Sequence, residues 1–211
     1  MDKYPSWYTP LVVDIPEGES GNWKIEQFTV SEDQAKFDNM RSAFHGSRRY
    51  VRSGTYTRLV RGRAVIMSDT VDEVGDMLEP IREAKNRGGD VLINGLGLGV
   101  VVNGMLQNEN VGTVTVIELS QDVIDLVGKY WLSKYPNKLN IIQGDALTWS
   151  APKGKKYSVV WHDIWDNICT DNLEQMKKLH RRYGKRSEWQ GSWCRADCEY
   201  YNSRGICENI I

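Results

Sequence analysis

The sequence has almost no net charge: 27 Lys and Arg stand against 28 Asp and Glu, a formal −1. Whole-chain electrostatics therefore single out no partner, and nucleic acid gains no support from overall charge. Long apolar runs are missing too. The opening Met1-Asp-Lys-Tyr-Pro-Ser-Trp-Tyr lacks the apolar stretch of a secretory signal, and no later run reaches membrane-spanning length. A cytoplasmic protein with no membrane role is the expectation. Cysteine is sparse and lacks the paired C-x-x-C pattern of structural zinc sites. Of the four, Cys169 stands apart and Cys194, Cys198 and Cys207 crowd the end. His180 could complete a four-ligand set with those three, but reduced, partly buried thiols are expected, and no metal is assigned.

What is present is an alternation of strands and helices around one glycine-rich turn. At 211 residues the chain suits one domain with an appended segment. Residues 90–94 (Asp-Val-Leu-Ile-Asn) read as a short buried strand, Gly95, Gly97 and Gly99 as a tight turn, and Val100 onward as a helix. Glycines let the backbone approach a ligand, and the helix that follows aims its first N–H groups at the turn. Alone, such a turn is equally a crossover that packs helix on strand.

Three further signals follow in the order a parallel sheet would present them. Residues 113–119 are a β-branched strand with Glu118 near its end, about twenty residues past the glycines, where an acid can take ribose hydroxyls. Residues 139–142 form a third strand, followed by Gln143-Gly-Asp-Ala146, and residues 157–161 a fourth, followed by His162-Asp-Ile-Trp-Asp-Asn167. Open α/β sheets bind ligands along the edge where such strand ends lie. Each acid separately could be a solvated strand end or a helix cap.

Over residues 90–167 this order resembles the class I S-adenosylmethionine-dependent methyltransferases. The resemblance implies a Rossmann-like, doubly wound, mostly parallel sheet that binds S-adenosylmethionine. It implies a donor site built from Asn94, Gly95, Gly97, Gly99, Glu118, Asp145 and Ala146, with Glu118 on the ribose and Asp145 beside the adenine. An NAD-binding fold is the rival, but it does not call for Gly144-Asp-Ala146. The Asn/Asp-Pro-Pro-Tyr of amino-methylating DNA enzymes is missing after the fourth strand.

Upstream, residues 1–88 read as an N-terminal extension. A strand is expected over 23–30, and Ser31-Glu-Asp-Gln34 has the form of a capping box for a helix reaching about Phe44. Arg41, His45, Arg48, Arg49 and Arg52 make a basic cluster, either solvated or facing an anionic substrate. Strands over 50–60 and 63–68 around Arg61-Gly62 predict a β-hairpin, and 71–85 an amphipathic helix weakened by Pro80. This layout, with Asp163-Ile-Trp-Asp166, is similar to the spermidine/spermine (polyamine) synthases, the aminopropyl-transferring branch. That resemblance implies decarboxylated S-adenosylmethionine as donor, with Asp163 near the reacting centre and Asp166 holding an amine. This sequence departs from the branch in three places: Leu98 stands where the branch carries an acid, Met67 where the branch carries a glutamine, and the tyrosine expected soon after Asp72-Glu73 is missing.

The nucleotide-binding core is expected over 89–170, and 171–211 as a basic, Trp- and Cys-rich helical tail. Asp171-Asn-Leu-Glu174 can cap a helix ending at Gly184, and no strand is expected after residue 161. The sheet thus looks shortened, its missing edge covered by the tail or by a second subunit of a homo-oligomer. Trp165 with Trp189 or Trp193 would wall an acceptor pocket, with Arg195 or the Arg181-Arg182 pair meeting an acceptor acid. The competing reading makes those tryptophans core.

Function follows in three versions. The first is methyl transfer to an unidentified, small-molecule acceptor, with Asp163 or His162 taking a proton and Asp166 nearby. The second is aminopropyl transfer, and the third a nucleotide-binding module without turnover.

Overall fold

The computed structural model describes residues 4–44 and 50–205. His45, Arg48, Arg49 and Cys207 lie outside them. The extension is a four-stranded antiparallel meander, β1 (Gly18–Ser20), β2 (Trp23–Val30), β3 (Gly54–Arg61) and β4 (Ala64–Ser68), in that order. Strands β3 and β4 are the expected hairpin, turned through Gly62 at φ 62°. It begins later than expected because Val51 is held elsewhere. The Asn39 side chain donates to the Val51 carbonyl and accepts its N–H, each at 2.8 Å. Asn39 belongs to α1 (Glu32–Phe44), where the Ser31 hydroxyl accepts the Gln34 N–H at 3.1 Å, as an N-cap should.

The single helix expected over 71–85 is two, α2 (Val71–Asp76) and α3 (Leu78–Arg87), divided at Met77. Pro80 then falls in the first turn of α3, where a missing N–H removes no intrahelical bond. Asp69, just ahead of α2, ties the extension together. Its carboxylate accepts the N–H groups of Thr57 at 2.6 Å and Val13 at 3.4 Å, and burial pushes its pKa up to about 6.

The second sheet is fully parallel. Its strands are β5 (Gly89–Asn94), β6 (Val111–Glu118), β7 (Leu139–Gln143), β8 (Tyr157–His162) and β9 (Ser187–Ser192), in the order β7-β6-β5-β8-β9. That is the doubly wound Rossmann-like order, with the direction of winding reversing between β5 and β8. After β5 comes α4 (Val100–Leu106), every residue of which is buried. After β6 come α5 (Gln121–Val123), a π-helical turn (Ile124–Gly128) and α6 (Lys129–Lys134). Helix α7 (Asn172–Tyr183) follows β8 and α8 (Arg195–Ser203) follows β9.

Strand β9 corrects the expectation of no strand beyond residue 161. Its sequence, Ser-Glu-Trp-Gln-Gly-Ser, has no β-branched residue, and Trp189 alone favours a strand, so the local signal is weak. It is made a strand by parallel pairing along β8, from Tyr157↔Ser187 to His162↔Ser192. The tail therefore supplies a sheet edge as well as a helix, and the parallel sheet has five strands.

Alternation along the strands divides the core into two layers. Val91, Ile93, Val159 and Trp161 pack with α3, α4 and the extension. Leu92 and Val160 pack on the other face with Met176, Leu179 and Tyr183 of α7 and Cys198 of α8. Among the described residues no helix is long and apolar enough to cross a membrane.

Candidate functional site

The carboxyl ends of all five parallel strands open onto one cavity of about 300 Å³. Gly95, Leu96 and Gly97 reach it from β5, Glu118 to Ser120 from β6, Gly144 to Leu147 from β7, Asp163 to Asp166 from β8 and Trp193 from β9. The meander closes it from above through Trp23, Leu59, Arg61, Ile66 and Met67. Glu73 and Met77 complete that side, and Gln175 comes from α7.

The glycine turn is required by packing at each of its three glycines. Gly95, at φ 96°, lies under the Asp163 carbonyl, into which a Cβ would run. At Gly97 a Cβ would meet the Met67 thioether, which accepts the Leu98 N–H at 3.0 Å. Gly99 faces away from the cavity. A Cβ there would strike the Trp131 indole, whose N–H donates to the Leu98 carbonyl at 2.9 Å.

Glu118 is held through both of its carboxylate oxygens. One carboxylate oxygen accepts the Leu96 N–H at 2.9 Å and the other the Ser120 N–H at 2.8 Å. Burial raises its pKa, while those backbone donors pull the other way. Asp145 turns one oxygen to the Leu147 N–H at 2.8 Å. Asp163 is only partly buried as a residue, but its carboxyl is desolvated, which pushes its pKa up to about 7. Asp76 and Glu73 add to that rise, and the Trp161 indole opposes it. Asp166 pairs with Arg61 at 2.5 Å, and Arg61 in turn lies over the Trp23 ring, 5.4 Å from its centroid.

Several expected site residues lie elsewhere. His162 is fully buried on the α7 face, with Nδ1 2.7 Å from the Asn94 side-chain nitrogen and the rings of His180 and Tyr183 at 5.3 and 5.6 Å. Burial, followed by the nearby His180, lowers its pKa to about 3, so the ring is neutral and out of reach of the cavity. Asn94 is drawn to the same face by pairing in register with His162. Neither these two nor Gly99 borders the cavity, whereas Gly95, Gly97, Glu118, Asp145, Ala146, Asp163 and Asp166 do.

The tail's aromatics divide. Trp165 and Trp193 border the cavity, but Trp189 stacks on Trp161 with centroids 6.3 Å apart. Gly191 leaves room for that pair, since a Cβ there would lie 2.9 Å from the Trp161 ring. Arg182 is structural, donating to the carbonyls of Ala146, Leu147 and Trp149. Arg195 binds Glu199 and His180. Cys194 donates to Asp76 and Cys198 is buried. Among the described residues no group of three or more His, Cys, Asp or Glu is placed to hold a metal.

Residues that sequence reasoning missed are the meander's, Arg61 and Trp23 above all, together with Glu73 and Gln175. Their signal is tertiary: Trp23 and Arg61 reach the cavity from β2 and β3, Glu73 from α2 and Gln175 from α7, none of them adjacent in sequence to the glycine turn.

No protein-family model and no curated protein matches the chain. Solved structures do. The structure titled DhpI-SAM-HEP complex is 19% identical, with 54% of this chain and 48% of that one covered and a TM-score of 0.41. A putative RNA methyltransferase, PH1948 from Pyrococcus horikoshii, is 14% identical over 61% and 63%, TM-score 0.43. A putative caffeoyl-CoA O-methyltransferase from Staphylococcus aureus is 22% identical over 56% and 54%, TM-score 0.43. The chain thus spans roughly half to two thirds of these structures.

Proposed function

We propose that this protein is an S-adenosylmethionine-dependent transferase, a methyltransferase acting on a small-molecule acceptor. The observation that carries the reading is Glu118, fixed by two backbone N–H groups at the end of β6 beside the glycine turn. With each oxygen keeping lone pairs for a further donor, the carboxylate suits a pair of ribose hydroxyls. Asp145 has an oxygen to spare for an exocyclic amine, and Ala146 and Leu147 offer apolar wall to a base. Gly95 and Gly97 bring backbone to the same edge.

Charge supports the same ligand. Glu73, Glu118, Asp145, Asp163 and Asp166 line the cavity, and Arg61 is the single cation among its described lining residues. Such a lining offsets the desolvation of a sulfonium and opposes a pyrophosphate, which favours S-adenosylmethionine over NAD. The donor, once bound, supplies an electrophilic methyl group on sulfur. The protein's own work is alignment and proton transfer: Trp165 and Trp193 wall the remaining space, and Asp163, titrating near neutrality, can take a proton from the acceptor. Aminopropyl transfer would ask Asp166 to hold an amine, and that carboxylate is occupied by Arg61.

Native mass spectrometry of the purified protein offered equal amounts of S-adenosylmethionine, its decarboxylated form and NAD tests the reading. Retention of S-adenosylmethionine is expected. Preferential retention of the decarboxylated donor, with methylthioadenosine released when putrescine is added, would replace methyl by aminopropyl transfer, and retention of NAD alone would end both.

A further inference from the structure

Each glycine of the turn has its bare face filled, and the three fillings differ in kind. Over Gly95 it is the Asp163 carbonyl, and over Gly99 the fully buried Trp131 ring, itself tied to the Leu98 carbonyl. Over Gly97 it is the thioether of Met67, the end of an unbranched side chain with three rotatable bonds. The first two are fixed and the third can move. The amides of the turn divide in the same way. Those of Gly95 and Gly99 donate to the Ile117 and Leu96 carbonyls at 2.8 and 2.9 Å, and that of Leu96 donates to Glu118. The Leu98 N–H donates to Met67 Sδ, a weak acceptor. Met67 and Gly97 both border the cavity, so Met67 covers the place where the turn's backbone would meet a ligand.

An irregularity in the meander aims Met67 there. It pairs with Leu59 while Val65 pairs with Val60, which leaves Ile66 as an extra residue in β4. A bulge of this kind re-aims side chains, and Ile66 and Met67, consecutive in one strand, both face the cavity instead of alternating.

We propose that Met67 is the gate of the donor site: its thioether closes Gly97 and the Leu98 N–H, and must swing off them for S-adenosylmethionine to approach the turn. The proposal rests on the reading of this cavity as the donor site. An oxygen acceptor on the ligand is a stronger partner for the Leu98 N–H than a thioether, which favours the exchange once the side chain has moved. The gate slows binding: a turn open about a tenth of the time binds about tenfold more weakly than one always open.

Binding of S-adenosylhomocysteine to the full chain tests it by two readouts. Nuclear magnetic resonance of protein labelled at its methionine methyl groups follows the side chain itself. The Met67 signal, assigned by its loss in Met67→Leu, should shift when the ligand saturates the wild type. Stopped-flow tryptophan fluorescence follows the rate, since Trp23, Trp165 and Trp193 border the cavity. Met67→Ala should associate about tenfold faster than wild type and dissociate at a similar rate. Met67→Leu, which keeps the bulk and has no sulfur to accept the Leu98 N–H, should fall between them, and it carries the same test if Met67→Ala does not fold. Binding by the variants but not by the wild type would support the gate in its strongest form. A Met67 signal that stays in place in a saturated wild type, or folded variants that associate no faster, would overturn the gate and leave the donor site standing. Failure of all three proteins to bind would overturn both.

Discussion

Arg61, at the end of β3, and Asp166, beyond β8, meet at 2.5 Å, joining the meander to the parallel sheet, and both border the cavity. The two side chains are 46% and 42% exposed, so the ion pair contributes little to stability, at most about 1 kcal/mol. Because both residues line the cavity, the pair is expected to act on ligand exchange instead.

Arg61→Ala should therefore leave the melting temperature nearly unchanged and speed ligand release. Stopped-flow dissociation of S-adenosylhomocysteine should be several-fold faster in the variant. High salt should move the wild type toward the same rate, because half-exposed charges are screened. Equal rates in both proteins would mean that the pair does not guard the entrance.

Asp163 makes stability depend on pH in a definite direction. Its folded pKa of about 7 lies above the ordinary aspartate value of 3.8, so between those values the folded state holds the extra proton. The stabilisation is complete below the unfolded pKa and is lost as pH rises through about 7. Asp163→Asn should remove that loss and be more stable than wild type at pH 8, with the difference vanishing near pH 4. Asp69 has the same sign and His162 the opposite one, so the quantity to plot is wild type minus variant from thermal melts. Turnover in the wild type should rise as Asp163 deprotonates, and be lost in the variant across the range.

Trp189 should behave as core, not as pocket. Stacked on Trp161 within β9, it should cost roughly 3 kcal/mol on truncation to alanine, the low end for a large aromatic because it is only partly buried. Calorimetry should find ligand affinity in the folded variant unaltered. Deleting residues 187 to 211 is predicted to give aggregation, since it uncovers the whole length of β8.

The central strands and the glycine turn were legible because parallel strands buried on both faces read as apolar runs, punctuated by glycine. The position of Glu118 and Asp145 at the cavity edge of the sheet was legible from their place at or just past the ends of such runs. His162 was misplaced for a reason that was also in the sequence: alternation puts it with Val160, on the face opposite Trp161 and Asp163. Strand β9 was illegible because its conformation comes from β8 and not from its own residues. Arg61, Trp23 and Glu73 reach the cavity through tertiary folding of the extension, which no local pattern encodes.

Calorimetric titration of S-adenosylhomocysteine into wild type and Glu118→Gln tests the central claim most directly. Gln keeps an acceptor for one of the two backbone N–H groups and removes the charge, so the fold should survive. The expected result is binding by the wild type and a loss of about 1–3 kcal/mol in the variant, the range for a hydrogen bond to a charged group. Wild-type affinity should also fall as acid protonates Glu118, beginning above the usual glutamate range because burial raises its pKa. No binding by the wild type, or equal affinity in a folded Glu118→Gln protein, would contradict the assignment of this cavity to the donor.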